Sequence, residues 1–388
     1  MRKRKKFNWL AILIVILLVM LITIVSNKMF HTTYETLPDI DKKMLEELSN
    51  IYKQFDQSEE PLWNGKYSFQ TQPLMLIKTR KDQGILQKTA YVINVPMDRN
   101  LFAKEISLPK SLGLPKVYRI SLFPPKNLKT WMPNNFGTLQ LKGKETMYYK
   151  YYPKMMNDPE LYFDFSSFLL HESFHIFKQK LWTYDNNDGE WIENYPDEPE
   201  QYALMGIEFK LLDLAMNANE PRTIQKYLSD WTVVRSYRYQ KWPQLKAETK
   251  TEAIEGTARY IEYRYNKKMK RRLTVLAAEN KPYHATFMQV FDFISNGQMN
   301  PSFIKRSIKY ETGAALGLLM DKGNISWKES IEDSPDKPGS TQYEILKNHF
   351  QLSNTVSEQE IKNLQQLYDY KNLLVQGEKI ATKFFEDK

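Results

Sequence analysis

The sequence predicts an α+β chain that begins with a transmembrane helix. An uncharged apolar stretch comes first, short β-branched and aromatic runs follow, and helical hydrophobic periodicity then continues to the end. Four segments are expected: a cytoplasmic basic tip with a membrane anchor at 1–28, a juxtamembrane helical segment at 29–60, a β-rich subdomain at 61–155 and a mainly α-helical region at 156–388. A chain of 388 residues is long enough to bury a substantial core in this arrangement.

The apolar stretch runs from Trp9 to Val25, directly after a cluster of five basic residues at 2–6. At about 1.5 Å per residue it is just long enough to cross a bilayer core. The basic cluster places the N-terminus in the cytoplasm, so the expected location is a single pass through the cell membrane with the rest of the chain extracytoplasmic. A cleaved signal peptide is the alternative. We expect an uncleaved anchor, because Ile24 is bulky where a cleavage site prefers small residues.

The overall composition excludes several classes of protein. More than half of the formal net charge of +9 comes from the basic cluster at 2–6. A nucleic-acid-binding face needs concentrated basic residues, and the run from Lys267 to Arg272 is the one further cluster, so no nucleic-acid partner is expected. We interpret that run as a solvated helix end, with an anionic-surface role as the alternative. Cysteine is absent, which excludes disulfides, thiolate catalysis, Cys-based zinc sites and a lipoprotein anchor.

The helical region contains the run His171-Glu172-Ser173-Phe174-His175 inside a predicted helix at 166–180. Histidines four residues apart lie on one face of a helix, one turn apart, where both can meet one metal ion. Glu172 lies at the edge of that face and could act as general base on a metal-bound water. The neighbouring residues are apolar, so a pair of buried core histidines with hydrogen-bond partners is the alternative. Two histidines at ligand spacing with a glutamate between them favour a Zn2+ site.

A catalytic zinc site usually takes three protein ligands and keeps one position open for water. The best third candidate is Glu255, in a predicted helix at 248–269, where Glu252 and Glu262 share its helical stripe. Glu255 is followed by Gly256, a small residue that would let the histidine helix approach closely. The alternatives are an exposed acidic stripe and a ligand from the predicted helix at 198–216. In that helix the candidate ligands are Glu200 and Glu208. The other histidines of the chain lack a supporting pattern; they are His31, His284 and His349.

The run His-Glu-x-x-His, followed later by Glu-Gly-x-Ala-x-Tyr, resembles the gluzincin class of zinc metallopeptidases. The resemblance covers roughly 166–180 and 248–265. It implies a zincin-like catalytic region in which His171, His175 and Glu255 bind Zn2+, Glu172 is the base, and a peptide or protein is the substrate. It also implies that Glu252 and Glu262 orient a ligating histidine or bind a substrate amine. The gap of 80 residues between His175 and Glu255 is longer than in many members of the class.

A peptidase must also stabilise the negative charge of its tetrahedral intermediate. Tyr310 is the candidate, because it opens a run of small residues that resembles stretches downstream of the glutamate helix in bacterial relatives of the class. Core packing of that run is the alternative. Other candidates for the same role are Arg235, Arg238 and Arg259.

Together these features predict a membrane-anchored extracytoplasmic zinc metallopeptidase, with Glu172 and Tyr310 as catalytic residues. The alternative is a membrane-tethered binding or assembly protein with a structural or vestigial zinc site. An intramembrane protease is disfavoured, because Lys178 and Lys180 follow the histidine pair closely. The sequence gives no prediction of the oligomeric state.

Overall fold

The computed structural model describes residues 9–56, 60–64, 67–79, 89–121, 130, 132–159, 163–184, 191–271, 286–334 and 336–386. It has a mixed α+β fold with one apolar N-terminal helix and a small sheet, which confirms the predicted fold class at that level. The chain divides into two compact units, Met1–Phe177 and Lys178–Lys388. Each unit is described by itself below.

The first unit begins with two helices of opposite character. Helix α1, Trp9–Met29, is long and apolar enough to cross a membrane, and no residue of its most apolar window is buried. Helix α2, Asp39–Asp56, is amphipathic. Its apolar residues recur every three or four positions and are buried, which is the pattern of a helix packed along one face. These buried apolar residues are Met44, Leu45, Leu48, Ile51 and Tyr52.

A six-stranded sheet follows, in the order β3-β4-β2-β1-β6-β5. The strands are β1 Leu74–Lys78, β2 Thr89–Ile93, β3 Ala103–Glu105, β4 Val117–Ser121, β5 Phe136–Leu141 and β6 Lys144–Tyr151. Strands β1 and β6 pair in parallel, and the other pairs are antiparallel. The sequence pattern predicts strands at 73–78, 89–95, 117–123 and 147–152, and strands β1, β2, β4 and β6 fall on these runs. The edge strands β3 and β5 were not predicted, because β3 has three residues with two exposed charges and β5 is only partly buried.

Two helices complete the first unit, α3 Pro153–Asn157 and α4 Phe165–Phe177. Asp164 caps α4, since its Oδ1 accepts a hydrogen bond from the Ser167 amide at 3.0 Å. The Ser166 hydroxyl donates to Glu47 of α2 at 2.8 Å. The Tyr149 hydroxyl of β6 donates to the Phe165 carbonyl at 3.2 Å. The start of α4 is therefore tied both to α2 and to the sheet.

The second unit is helical. Its helices are α5 Pro199–Asn217, α6 Pro221–Lys241, α7 Glu248–Lys268, α8 Phe287–Ser295, α9 Ser302–Lys305, α10 Ile308–Lys322, α11 Lys328–Ile331, α12 Gln342–His349, α13 Glu358–Leu367 and α14 Tyr370–Glu386. The sequence pattern predicts helices at 198–216, 248–269 and 341–349, and α5, α7 and α12 lie there. It also predicts single helices at 301–320 and 357–385, but each is interrupted, the second near Asp369, which has a φ of 62°. A further helix is predicted at 283–295; α8 lies within it, and the predicted start at 283 lies outside the described residues.

Helix α6 was not predicted, and its composition explains why. Its buried side chains include Trp231 and Leu228, but also Arg235 and Arg238, so the apolar periodicity is broken by charges that are nevertheless inside the fold. A sequence pattern normally assigns such charges to a solvated face.

Helices α7 and α10 cross through two glycines. A Cβ atom on Gly256 would lie 2.5 Å from the Gly313 Cα, and one on Gly313 would lie 2.4 Å from the Glu252 carbonyl oxygen. Neither distance leaves room for a side chain, so the two backbones are in direct contact. The prediction that Gly256 lets another helix approach closely is therefore confirmed, but the helix that packs on Gly256 is α10 and not the predicted histidine helix.

Candidate metal site

His171 and His175 lie on one face of α4, as predicted from their spacing. Their ring centroids are 4.7 Å apart, and the ring planes are inclined at 75°. His171 is buried, with 7% of its surface exposed, and His175 is partly exposed. Two imidazoles at this separation on one helix are a pair of potential nitrogen ligands for a single cation.

The rotation of α4 about its own axis is set by residues between and beside the histidines. The Phe174 ring packs edge-on against Trp63 at 4.9 Å and against Tyr67 at 5.3 Å. Ser173 shares a hydrogen bond of 3.1 Å with the buried hydroxyl of Tyr67. Burial raises the pKa of Tyr67, so this hydroxyl stays protonated at neutral pH. Because Ser173 and Phe174 are held in this way, the directions of His171 and His175 are fixed as well.

Glu255 of α7 completes a three-residue group. His171, His175 and Glu255 each offer one ligand atom, and these atoms all lie within 4.8 Å of one another. Glu255 is buried, with 9% of its surface exposed. Two imidazole nitrogens and one carboxylate oxygen form a donor set that could hold a metal ion. Zinc accepts such a set, and so do other divalent transition metals.

Glu172 is adjacent to His171 in sequence and lies outside the group of three. Its side chain is neither fully buried nor fully exposed. Within the described part of the chain, the group that could hold a metal therefore consists of the three predicted ligands. Glu172, the predicted base, is not a member of that group.

The glutamates near Glu255 on α7 are buried, so the alternative of an exposed acidic stripe is excluded. Glu252 is 0% exposed and Glu262 is 4% exposed. Glu252 accepts hydrogen bonds from Arg235 at 3.1 Å and from the Thr312 hydroxyl at 2.6 Å. These contacts make Glu252 part of the interior of the second unit, which does not support the histidine-orienting or amine-binding role that the resemblance implied. Glu262 forms an ion pair with Arg259.

The rival third ligands have other partners. Glu208 is fully buried and pairs with Arg235 at 2.7 Å and with Arg238 at 2.8 Å. Glu200 forms an ion pair with Lys241. Neither glutamate belongs to the three-residue group within the described residues.

The remaining predicted candidates are placed as follows. Tyr310 lies in the first turn of α10 with a partly exposed side chain, and its catalytic role stays a prediction. Arg235 and Arg238 are at most 1% exposed and are engaged with glutamates, which argues against a role in contacting substrate. Arg259 pairs with Glu311 at 3.1 Å as well as with Glu262. His31 and His349 are exposed, and His284 lies outside the described residues.

Sequence reasoning missed a buried ionic network in the second unit. Three cations and three anions, each at most 2% exposed, contact one another in the interior. Besides the pairs already described, Arg238 contacts Glu248 at 3.3 Å and Lys309 contacts Glu248 at 2.9 Å. The six members are Glu208, Arg235, Arg238, Glu248, Glu252 and Lys309. Such a network persists only if every charge is compensated, because an unpaired buried charge is strongly destabilising.

The network changes the pKa of Glu248. Burial alone would raise this pKa, but Lys309, Arg238 and Arg235 together outweigh burial and lower it from 4.5 to about 2. The pKa of Lys309 is lowered, because burial and the two arginines outweigh the attraction of Glu248. Glu248 is thus a carboxylate throughout the neutral and mildly acidic range.

The depressed pKa of Glu248 predicts a loss of stability in acid. A carboxylate whose pKa is lower in the folded than in the unfolded state stabilises the fold above the unfolded pKa, and this contribution disappears as pH falls from about 4.5 to about 2. We expect the midpoint of thermal unfolding of the detergent-solubilised chain, followed by circular dichroism, to fall across that window. Burial raises the pKa of Glu311, so the contribution of Glu311 to stability increases as pH falls. Glu248→Gln should be less stable at pH 7 and should lose less between pH 5 and pH 3; an unchanged slope would contradict the assignment.

No protein-family model, curated protein or solved structure matches the chain. The function is therefore inferred from the residues of the site.

Proposed function

We propose that the chain is a membrane-anchored, extracytoplasmic zinc metallopeptidase of the gluzincin type, with a zincin-like catalytic region. The observation that carries the proposal is the group formed by His171, His175 and Glu255, whose ligand atoms lie within 4.8 Å of one another. Three protein ligands of this chemistry are what a catalytic zinc site uses, because the fourth position must remain open for water and substrate. The two histidines also flank Glu172, which is the arrangement that a general base for the bound water requires.

The chemistry of the proposal is divided between the ion and the chain. A bound zinc ion lowers the pKa of a coordinated water to about 7 and polarises the carbonyl of the scissile peptide. Glu172 accepts the proton of the attacking water and later delivers it to the departing amine nitrogen. His171, His175 and Glu255 hold the ion. Tyr310 is the candidate donor to the oxyanion of the tetrahedral intermediate.

The proposed location rests on α1. The helix is 21 residues long, it has the hydropathy of a membrane span, and the preceding residues at 2–6 are basic. A single pass with the N-terminus in the cytoplasm follows from the positive-inside rule. Both compact units would then face the extracytoplasmic side, where the substrate would be a peptide or a protein.

Metal content tests the proposal most directly. We expect the purified full chain, solubilised in detergent and loaded with zinc, to retain about one zinc ion per chain after dialysis, as measured by inductively coupled plasma mass spectrometry. His175→Ala and Glu255→Ala remove one ligand each and should lower zinc affinity at least tenfold. His349→Ala, which removes an exposed histidine, is the matched control and should retain the ion.

Activity then separates the proposal from its alternative. The zinc-loaded chain should cleave members of a peptide library, a chelator should stop cleavage, and added zinc should restore it. A chain that keeps its zinc and cleaves no peptide would favour the alternative, a membrane-tethered binding or assembly protein with a structural or vestigial zinc site. Equal zinc retention by the wild type, His175→Ala and Glu255→Ala would overturn the metal site itself.

A further inference from the structure

The end of α1 is built into the first unit. Asn27 is 3% exposed, and its side-chain amide donates to the carbonyl oxygens of Phe102 at 3.0 Å and Arg119 at 3.2 Å. In return, the Arg119 guanidinium donates to the Phe30 carbonyl at 2.6 Å. These bonds link the last turn of α1 to strand β4 and to the residue that precedes β3.

The chain continues from α1 into the sheet edge without a free linker. The Ser107 amide donates to the Thr32 carbonyl at 3.0 Å, and the Tyr34 amide donates to the Ser107 carbonyl at 2.9 Å. Thr33 and Ser107 thereby form a parallel β-bridge. Side-chain hydrogen bonds of Asn27 before residue 30, and backbone hydrogen bonds of Thr32 and Tyr34 after it, leave little freedom for α1 to swivel relative to the sheet.

The length of α1 fixes the level of this junction in a bilayer. A helix needs about 20 residues to cross the hydrocarbon core. Counted from Trp9, the twentieth residue is Lys28, so Asn27 still belongs to the crossing segment. Earlier positions on the same helix face, Thr23 and Ile24, are already partly covered by protein. The part of the first unit that contacts Asn27 must therefore lie at the boundary between the acyl chains and the headgroups.

The side chains at this junction suit such a boundary. Three large apolar side chains are exposed there: Met29 at 68%, Phe30 at 58% and Leu101 at 68%. Lys28, Arg99 and Lys104 are exposed beside them. The exposed acids that flank residues 99–104, Asp98 and Glu105, both pair with Lys116. Apolar side chains flanked by basic ones are the composition that binds the interfacial layer, because the former enter the acyl region and the latter pair with anionic headgroups.

We propose that residues 28–30 and 99–104 form a membrane-contact surface whose partner is the headgroup layer of the bilayer that α1 crosses. The helix and this surface together hold the first unit at a fixed height and orientation above the membrane. Asn27 is buried and hydrogen-bonded within the folded first unit, which favours retention of α1 in the mature protein. The proposal requires α1 to be embedded in lipid and does not depend on the peptidase function.

Single-cysteine labelling tests the proposal, because the chain contains no native cysteine. The full chain would carry an environment-sensitive fluorophore at Leu101→Cys in vesicles of phosphatidylcholine and phosphatidylglycerol that contain a lipid with a nitroxide near the headgroup. Gln140→Cys is the matched control, since Gln140 is exposed on β5, at the opposite edge of the sheet. Val15→Cys, within α1, reports whether the helix is inserted. Labelled proteins that melt at the wild-type temperature qualify for comparison.

We expect the label at 101 to be quenched severalfold more strongly than the label at 140, and its emission to shift to shorter wavelength on reconstitution. Quenching at 15 with equal, low quenching at 101 and 140 would overturn the contact surface while leaving the anchor intact. An absence of quenching at 15 would refute the membrane anchor, and the contact surface with it. Neither result would bear on the metal site in the zinc-binding assay.

Discussion

Glu172→Gln is expected to abolish peptide cleavage while leaving the zinc content of the chain unchanged. Glutamine has nearly the same shape as glutamate, but its amide cannot accept the proton of the attacking water. Removing a positioned general base typically lowers turnover by about two to four orders of magnitude. Because Glu172 lies outside the three-residue group that could hold the metal, the substitution should spare zinc binding. Steady-state kinetics with a cleaved library peptide and metal analysis of the same preparation measure both quantities.

The matched control for that experiment is Glu329→Gln, which makes the same chemical change at an exposed position of α11. It should cleave at the wild-type rate. Wild-type turnover by Glu172→Gln would show that Glu172 is not the base, whatever the metal content. Loss of both zinc and activity would instead indicate that Glu172 supports the site structurally, which also contradicts the proposed mechanism.

Arg238→Met is expected to destabilise the second unit by about 3–5 kcal/mol. Arg238 is fully buried and contacts both Glu208 and Glu248, so its loss leaves two carboxylates with less compensation in an interior of low dielectric constant. The apolar volume of methionine replaces much of the lost packing, which isolates the effect of the charge. Denaturant unfolding of the detergent-solubilised chain, followed by circular dichroism, measures the change in the free energy of unfolding.

Lys241→Met is the control on the same helix. Lys241 pairs with Glu200, but the two side chains are 38% and 32% exposed, and such pairs contribute about 1 kcal/mol or less. If the two variants lose similar amounts of unfolding free energy, the buried network stabilises the protein no more than an exposed ion pair does. The double variant Arg238→Met with Glu208→Met should recover part of the loss, since it removes a buried charge of each sign.

The sequence was sufficient for features that depend on local spacing. The apolar run of α1, the stripe of α2 and the four central strands each repeat with the period of their own element, and the structure contains them. The histidine pair on α4 belongs to the same category, because residues four apart share a helix face whatever the rest of the fold does. The position of Glu255 needed more than spacing, and a resemblance to gluzincins supplied it.

Features that depend on distant partners were not predictable in the same way. The sequence offers Arg235 and Arg238 as candidates for contacting the substrate, whereas in the structure they form ion pairs with glutamates of two other helices. A sequence pattern does not show which charges will be paired inside a core, because the partners become neighbours only after the helices pack. The misassignment of Gly256 has the same origin: its small size indicated a close helix contact, but not which helix would make it.

The glycine crossing of α7 and α10 has a consequence for how the site would exchange its ion. Backbone atoms in direct contact have no rotamers, so this crossing point is unable to relax in the way that a contact between side chains can. Glu255 immediately precedes Gly256, so only one peptide bond separates its Cα from the residue at which the two helix backbones are in contact. Departure of a metal would leave the carboxylate with only its own χ angles to vary. Recapture on the side of Glu255 would then require rotation about the single bonds of that side chain, without refolding of the helix.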